Sequence, residues 1–201
     1  MLGLIWLLVI GVLVVGLFLV FGKAAEKRSP DPDPNSAIGL RRTVFALKMG
    51  DIVQYDARDW VVEGVLVYDE AGFKWLEYLL QDQDEIRWLS VEEDDRIELL
   101  WMAPCPDLDV ARPGATVLQV AGEQYQLQES GTAQMTRRGN TLNRQAEECR
   151  YYDYIAEDNR GNHLSVENWN GDIEVTRGQT IRPQDLQLLP GDGAQVYNAR
   201  D

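Results

Sequence analysis

The sequence has few of the residues that build metal and catalytic sites. Its 201 residues include a single histidine, His163, and two cysteines, Cys105 and Cys149. These are too few Cys and His ligands for a zinc site of the common type, and two cysteines do not make a disulfide scaffold. The G-x-S-x-G motif of a serine nucleophile is also absent. We therefore expect no enzymatic activity, no metal and no other cofactor.

Basic residues are in short supply as well. The chain has 33 acidic and 19 basic side chains, and its formal net charge is −14. Phosphate backbones attract clusters of Lys and Arg, so this balance argues against general binding of nucleic acid. The acidity is uneven, because residues 44–103 hold 5 basic and 15 acidic groups (net −10), whereas residues 112–189 hold 8 and 11 (net −3). The first of these regions is expected to attract a cation or a basic protein.

The first 21 residues carry no charge at all. Residues 2–21 comprise 17 apolar side chains and three glycines, which is enough to span a bilayer as a helix. The pattern predicts a transmembrane helix over residues 1–22 of a single-pass membrane protein. Because basic residues follow the span within 23–28, the rest of the chain is expected to be cytoplasmic and the N-terminus outside. A cleaved signal peptide stays open as an alternative, since Gly22 and Ala24 imitate a cleavage site.

Residues 23–43 predict a linker that is basic first and then rich in Pro and Asp. Prolines alternate with other residues over 30–34, which favours an extended spacer over a helix or a central strand. From Thr43 onward, runs of β-branched and aromatic residues are separated by Gly- and Asp-rich turn signals. The folded part is therefore predicted to be mainly β.

An internal similarity predicts a duplication. The sequence Leu-Ser-Val-Glu at residues 89–92 reappears at residues 164–167, and three further matches are collinear with it. We predict two tandem copies of a small antiparallel β unit, barrel-like or sandwich-like, at residues 44–103 and 112–189. A connector (104–111) separates the copies, and a C-terminal tail (190–201) follows them.

Several residues of the first copy carry a resemblance to a known family. They are Gly50-Asp51-x-Val53, Trp60-x-Val62-x-Gly64, Trp75-x-Glu77-Tyr78-x-Leu80 and Trp88-Leu89. This pattern resembles the family catalogued as domain of unknown function 4178, over at least residues 48–101 and more weakly in the second copy. The resemblance implies a mostly β fold and supplies no catalytic residues. It also implies a bacterial setting, in membrane-stress gene neighbourhoods near small membrane proteins and polyamine-synthase-like enzymes.

One basic cluster stands out in the folded region. Arg137, Arg138 and Arg144 lie in a stretch of the second copy, between about residues 130 and 148, that the first copy lacks. They are the candidate site residues, either for anionic lipid or for an acidic partner. The alternatives are that the cluster contacts the first copy or is a solvated loop.

These observations predict a membrane-anchored, non-enzymatic interaction or assembly module. It would act at the cytoplasmic face of a bacterial inner membrane, in membrane stress or envelope maintenance, and bind another membrane or membrane-associated protein. The alternative is an accessory or sensing domain that binds a small cationic ligand such as a polyamine.

Overall fold

Eleven β-strands and one short 3₁₀ turn make up the regular structure of the residues that the structure describes. The computed structural model describes residues 43–108, 110, 112–142, 144, 146–157, 161–191 and 197. The first five strands are β1 (Ile52–Tyr55), β2 (Arg58–Glu70), β3 (Phe73–Asp82), β4 (Glu85–Glu93) and β5 (Ile97–Pro104). The others are β6 (Val117–Val120), β7 (Glu123–Gly139), β8 (Glu148–Ala156), β9 (Asn162–Trp169), β10 (Asp172–Ile181) and β11 (Gln187–Leu189), with the 3₁₀ turn at Pro183–Asp185.

All strands belong to a single antiparallel sheet that closes on itself. The strand order is β11-β1-β2-β3-β4-β5-β10-β9-β8-β7-β6, and β2 additionally pairs with β7. The closed part therefore runs from β2 to β5 and from β10 back to β7, eight strands in all. We call this part the closed sheet. Strands β1, β11 and β6 extend the sheet beyond it.

Glycines stand at the two seams where the halves of the chain meet. Gly64 faces Gly139 in the β2–β7 ladder, and Gly178 faces Met102 in the β10–β5 ladder. A Cβ atom on Gly64 would come within 1.8 Å of the carbonyl oxygen of Asn140, and one on Gly178 within 1.8 Å of that of Trp101. Both seams therefore depend on the missing side chain, which lets the neighbouring backbone approach.

The interior of the closed sheet contains a core that draws on both halves of the chain. Alternate residues of a strand point to opposite faces, and one set of buried side chains comes from strands of both halves. Its members are Leu66, Tyr68, Leu79, Trp88, Met102, Ala133, Met135, Cys149, Tyr151 and Trp169. Because this set links the two halves across the sheet, it occupies the inside of the closed sheet.

The outer face has two further cores, one on each half. Trp60, Tyr78 and Leu89 centre the first, which β1 and β11 cover through Val53 and Leu188. The second core lies on the other half and includes Tyr125, Tyr154, Leu164, Val166, Val175 and, from β6, Val120. The strands that extend the closed sheet thus serve to bury these outer faces.

The fold prediction is correct in being mainly β and wrong in two other respects. The strands of 44–103 and 112–189 do not form two separate units, because β5 pairs with β10 and β2 with β7. The second error concerns the predicted transmembrane helix, and with it the single-pass localisation. Within the described ranges, the chain forms no helix of the length and apolar character needed to cross a bilayer, and the proposed span at residues 2–21 lies outside those ranges. The predicted segment boundaries themselves stay a prediction.

Candidate functional site

A buried arginine from the segment that joins β7 to β8 marks the candidate site. The side chain of Arg144 is only 1% exposed. Its backbone N–H donates to the carbonyl of Thr141 at 3.1 Å, while Leu142 and Ala146 pack against the interior core. These apolar contacts on either side of Arg144 hold the connecting segment against the closed sheet, so that the guanidinium lies inside the sheet.

Three carboxylates from three strands surround this guanidinium. Its Nη2 lies 2.7 Å from Oε2 of Glu167 on β9, and its Nε donates to Oε2 of Glu174 on β10 at 2.8 Å. Nη1 pairs with Glu77 on β3 and donates to the hydroxyl of Tyr68 at 3.2 Å. The Tyr68 hydroxyl in turn donates to Glu167 at 3.0 Å. The guanidinium is thus held by a charge-assisted network from several sides.

Two indole rings complete the surroundings of Arg144. Its Cζ atom lies 4.0 Å from the ring centroid of Trp88 and 5.8 Å from that of Trp169. Both distances are within the range of a cation–π interaction, which strengthens when the cation is desolvated. We call the set Glu77, Glu167, Glu174, Trp88 and Trp169 the arginine cage.

The cage carries more negative charge than its arginine neutralises. Three carboxylates and one guanidinium give a formal charge of −2. Burial, together with the neighbouring Glu77, raises the pKa of Glu167 to about 7 despite the opposing effect of Arg144, and burial also raises the pKa of Glu77. Burial alone would lower the pKa of Arg144, but its anionic neighbours hold that pKa well above the ordinary value. Arg144 is therefore charged, whereas the raised pKa of Glu167 means that protonation removes part of the formal negative charge near neutral pH.

A second group of acids lies on β4, β7 and β8. Asp153 is adjacent to Glu129 in the β7–β8 ladder. Burial, reinforced by Glu167, Glu129 and Glu92, raises the pKa of Asp153 to about 7. The pKa of Glu92 is raised by burial and by Glu129 and Glu98. Acidic groups that raise one another's pKa are therefore also present outside the cage.

A pocket of about 380 Å³ opens beside the cage. Its lining is mostly apolar and comes from β4, from the end of β5 and the residues after it, from the segment that carries Arg144 and from the start of β10. The lining residues are Trp88, Pro104, Cys105, Pro106, Leu108, Leu142, Ile173, Glu174, Val175 and Thr176. Glu174, whose side chain is 22% exposed, and Trp88 belong to both the pocket and the cage. A cation in this pocket would meet one carboxylate and one indole within apolar walls.

The structure separates the three predicted site residues. Arg137 and Arg138 are exposed at the end of β7, in the ladder positions opposite Leu66 and Val65 of β2. Arg144 is buried in the cage and contacts Glu77 of the first copy, which is one of the alternatives left open for the cluster, so the three arginines do not form one exposed group. Binding of a partner or lipid by Arg137 and Arg138 stays a prediction.

Sequence reasoning did not identify the carboxylates of the cage. On β3, Glu77 is two positions from both Trp75 and Leu79, and on β9, Glu167 is two positions from Trp169. An acid in phase with large apolar side chains points to the same face of the sheet as they do, and this phase is the signal that could have found both residues. Among the residues that the structure describes, no group of His, Cys, Asp and Glu is arranged to hold a metal ion.

Comparison with known proteins identifies a family. Neither the curated proteins nor the solved structures include a match. The family described as "Domain of unknown function (DUF4178)" matches residues 48–183. The match is one span from β1 through β10, so it covers both halves as a single domain. This confirms the resemblance predicted from residues 48–101, and the chain belongs to this family of domains of unknown function.

Proposed function

We propose that this chain is a non-enzymatic binding domain whose ligand is a small organic cation. The observation that carries the proposal is the pocket of about 380 Å³, in which the acidic residue among the described lining residues, Glu174, also belongs to the arginine cage. Concave, mostly apolar pockets with a few convergent polar groups are the usual form of a small-molecule site.

The carboxylates near the pocket favour a cation as the ligand. The three carboxylates of the cage share one guanidinium, that of Arg144, and one of the three, Glu174, also lines the pocket. An ammonium group in the pocket would add a second positive charge next to Glu174. In such a partly desolvated place, a charge-assisted hydrogen bond contributes about 1.5–3 kcal/mol.

The walls of the pocket favour an amine with a hydrocarbon body. Pro104, Pro106, Leu108 and Leu142 surround the cavity, and Glu174 is the one carboxylate among the lining residues that the structure describes. A ligand with one ammonium group and a short alkyl chain matches this lining. A polyamine, which carries several separated charges, would leave most of them facing apolar groups.

Isothermal titration calorimetry of the full chain tests the proposal. We expect n-hexylamine to bind, spermidine to bind more weakly, and neutral n-hexanol to bind weakest. The substitution Glu174→Gln should lower the affinity for n-hexylamine by roughly tenfold or more, because one charge-assisted contact is lost. Glu93→Gln, an exposed position at the end of β4, is the matched control and should bind like the wild type. No heat with any amine, or equal affinity in the Glu174 variant, would contradict the proposal.

Interaction with a basic protein is the second candidate. The observation that favours it is the net charge of −10 over residues 44–103, which steers basic partners towards this half in a manner that salt weakens. A lysine-rich peptide of defined sequence is a suitable probe. We expect its affinity for the full chain to fall with salt and to fall again when the acidic hairpin at residues 92–95 is neutralised. Salt-independent or absent binding would exclude this candidate.

We also propose that the two halves derive from a duplication that has become one domain. Equivalent pairs support this, because Tyr78 faces Leu89 in the β3–β4 ladder and Tyr154 faces Leu164 in the β8–β9 ladder. Each of these four side chains is buried in an outer core. On this proposal, Arg144 comes from the stretch that the first half lacks, whereas Glu167 belongs to the repeated Leu-Ser-Val-Glu sequence.

A further inference from the structure

The contacts of Arg144 resemble those of a bound ligand. Its guanidinium makes polar contacts with four different residues, at Nη1 with Glu77 and the Tyr68 hydroxyl, at Nη2 with Glu167 and at Nε with Glu174. The guanidinium carbon, Cζ, also lies over the indole ring of Trp88, 4.0 Å from the ring centroid. Carboxylates in the plane and an aromatic ring against the face are the recognition pattern of a guanidinium.

The cage and its occupant come from different parts of the fold. Glu77, Trp88, Glu167, Trp169 and Glu174 lie on β3, β4, β9 and β10 of the closed sheet. Arg144 lies outside any strand, in the segment between β7 and β8. The cage is therefore built by the sheet, and the connecting segment supplies the cation that fills it.

We propose that the arginine cage is a guanidinium-binding site that this chain fills in cis with Arg144, and that a free alkylguanidinium takes the same place when the arginine side chain is removed. This inference goes beyond the proposed function, because it concerns the interior cage and not the pocket beside it. The class of ligand is a guanidinium with a short apolar tail. The charged group pairs with the three carboxylates, and the tail takes the place of the arginine side chain.

Glu174 would couple the two sites. Its carboxylate receives the Nε–H of Arg144 at 2.8 Å and also lines the pocket. A cation in the pocket and the guanidinium in the cage therefore share one carboxylate.

Chemical rescue of Arg144→Ala in the full chain tests the cage. We expect this variant to unfold at a lower temperature than the wild type. Millimolar ethylguanidinium should restore half or more of the lost Tm, and it should leave the Tm of the wild type unchanged because the cage is full. Ethylurea, which has the same shape without charge, should restore nothing. The control is Arg150→Ala on β8, where the arginine is exposed and ethylguanidinium should have no effect.

Adding Glu167→Gln to Arg144→Ala provides the second variant. It removes one carboxylate of the cage, so the rescue by ethylguanidinium should require a roughly tenfold higher concentration, as one charge-assisted contact is lost. If Arg144→Ala does not fold alone, refolding is followed with and without ethylguanidinium, and recovery of native tryptophan fluorescence is expected only with it. Failure of ethylguanidinium to raise the Tm or to restore folding, or equal rescue by ethylurea, would overturn the inference. Since the amine titration uses the wild-type pocket, its outcome is separate from this one.

Discussion

At the scale of single residues, the unusual feature is an interior that holds more carboxylates than cations. Taking a charge out of water is unfavourable unless a partner of opposite sign and further hydrogen bonds compensate it. Glu77, Glu167 and Glu174 share one arginine, and the hydroxyl of Tyr68 supplies an additional donor. Because burial disfavours the charged acids and one cation serves all three, the pKa values of Glu77 and Glu167 are raised, and the stability of the fold depends on pH.

The carboxyl of Asp153 gives a pH dependence of known sign. Burial raises its pKa from 3.8 to about 7, so between these values the folded chain holds a proton that the unfolded chain releases. The free energy of unfolding must therefore fall as pH rises through this window, by at most about 1.4 kcal/mol per pH unit. Glu167, with a pKa raised to about 7 by burial, acts in the same direction. We expect Asp153→Asn to lose less stability than the wild type between about pH 5 and pH 8.

Urea denaturation at several pH values measures this difference. Asp94→Asn, in the exposed turn between β4 and β5, is the control and should follow the wild-type curve. Parallel curves for Asp153→Asn and the wild type would show that Asp153 is not protonated in the folded chain at neutral pH.

At the scale of the elements, closure of the sheet depends on two seams. Strand β7 has 17 residues, pairs with β6 and β8 along its first part and pairs with β2 along its last part. This length allows one strand to serve both the closed sheet and its extension. At the end of the β2–β7 seam, Gly64 leaves room for the carbonyl of Asn140, from which the chain continues towards Arg144.

Gly64→Ala is expected to destabilise the β2–β7 seam. The added Cβ would lie 1.8 Å from a backbone oxygen, and backbone cannot yield as a side chain does. We expect the free energy of unfolding to fall by roughly 1–3 kcal/mol, the usual effect of overpacking. Chemical denaturation measures the loss.

Gly131→Ala on β7, at the ladder position opposite Tyr151 of β8, is the matched control. There the added Cβ would meet only side-chain atoms of Glu70 and Tyr151, which can move aside, so the loss should be smaller. A Gly64 variant as stable as the Gly131 variant would mean that the seam tolerates a side chain.

At the scale of the whole molecule, the strands could be predicted but their closure could not. Alternation and turn signals are local, so they indicate runs such as β2 and β9 directly. The pairings of β2 with β7 and of β5 with β10 join distant parts of the chain, and no local pattern specifies them. Without these pairings, the two similar halves were predicted to be two units, whereas in the structure their strands form one sheet.

The candidate site was only partly accessible from sequence. Arg144 was selected for its charge, but a charged residue in a connecting segment suggests exposure, and the structure buries it. Its burial requires partners from β3, β9 and β10, which the closed sheet alone brings together. An uncharged opening segment at residues 2–21 also dominated the functional prediction, although it lies outside the described residues.

The central claim, a small organic cation held beside the cage, is tested most directly by nuclear magnetic resonance of the tryptophan indole N–H groups. Trp88 lines the pocket, whereas Trp60 lies in an outer core. Titrating the full chain with n-hexylamine should shift the Trp88 signal saturably and leave the Trp60 signal in place, and n-hexanol should produce a much smaller shift. A Trp88 signal that does not move, or that moves equally with the neutral alcohol, would contradict the account.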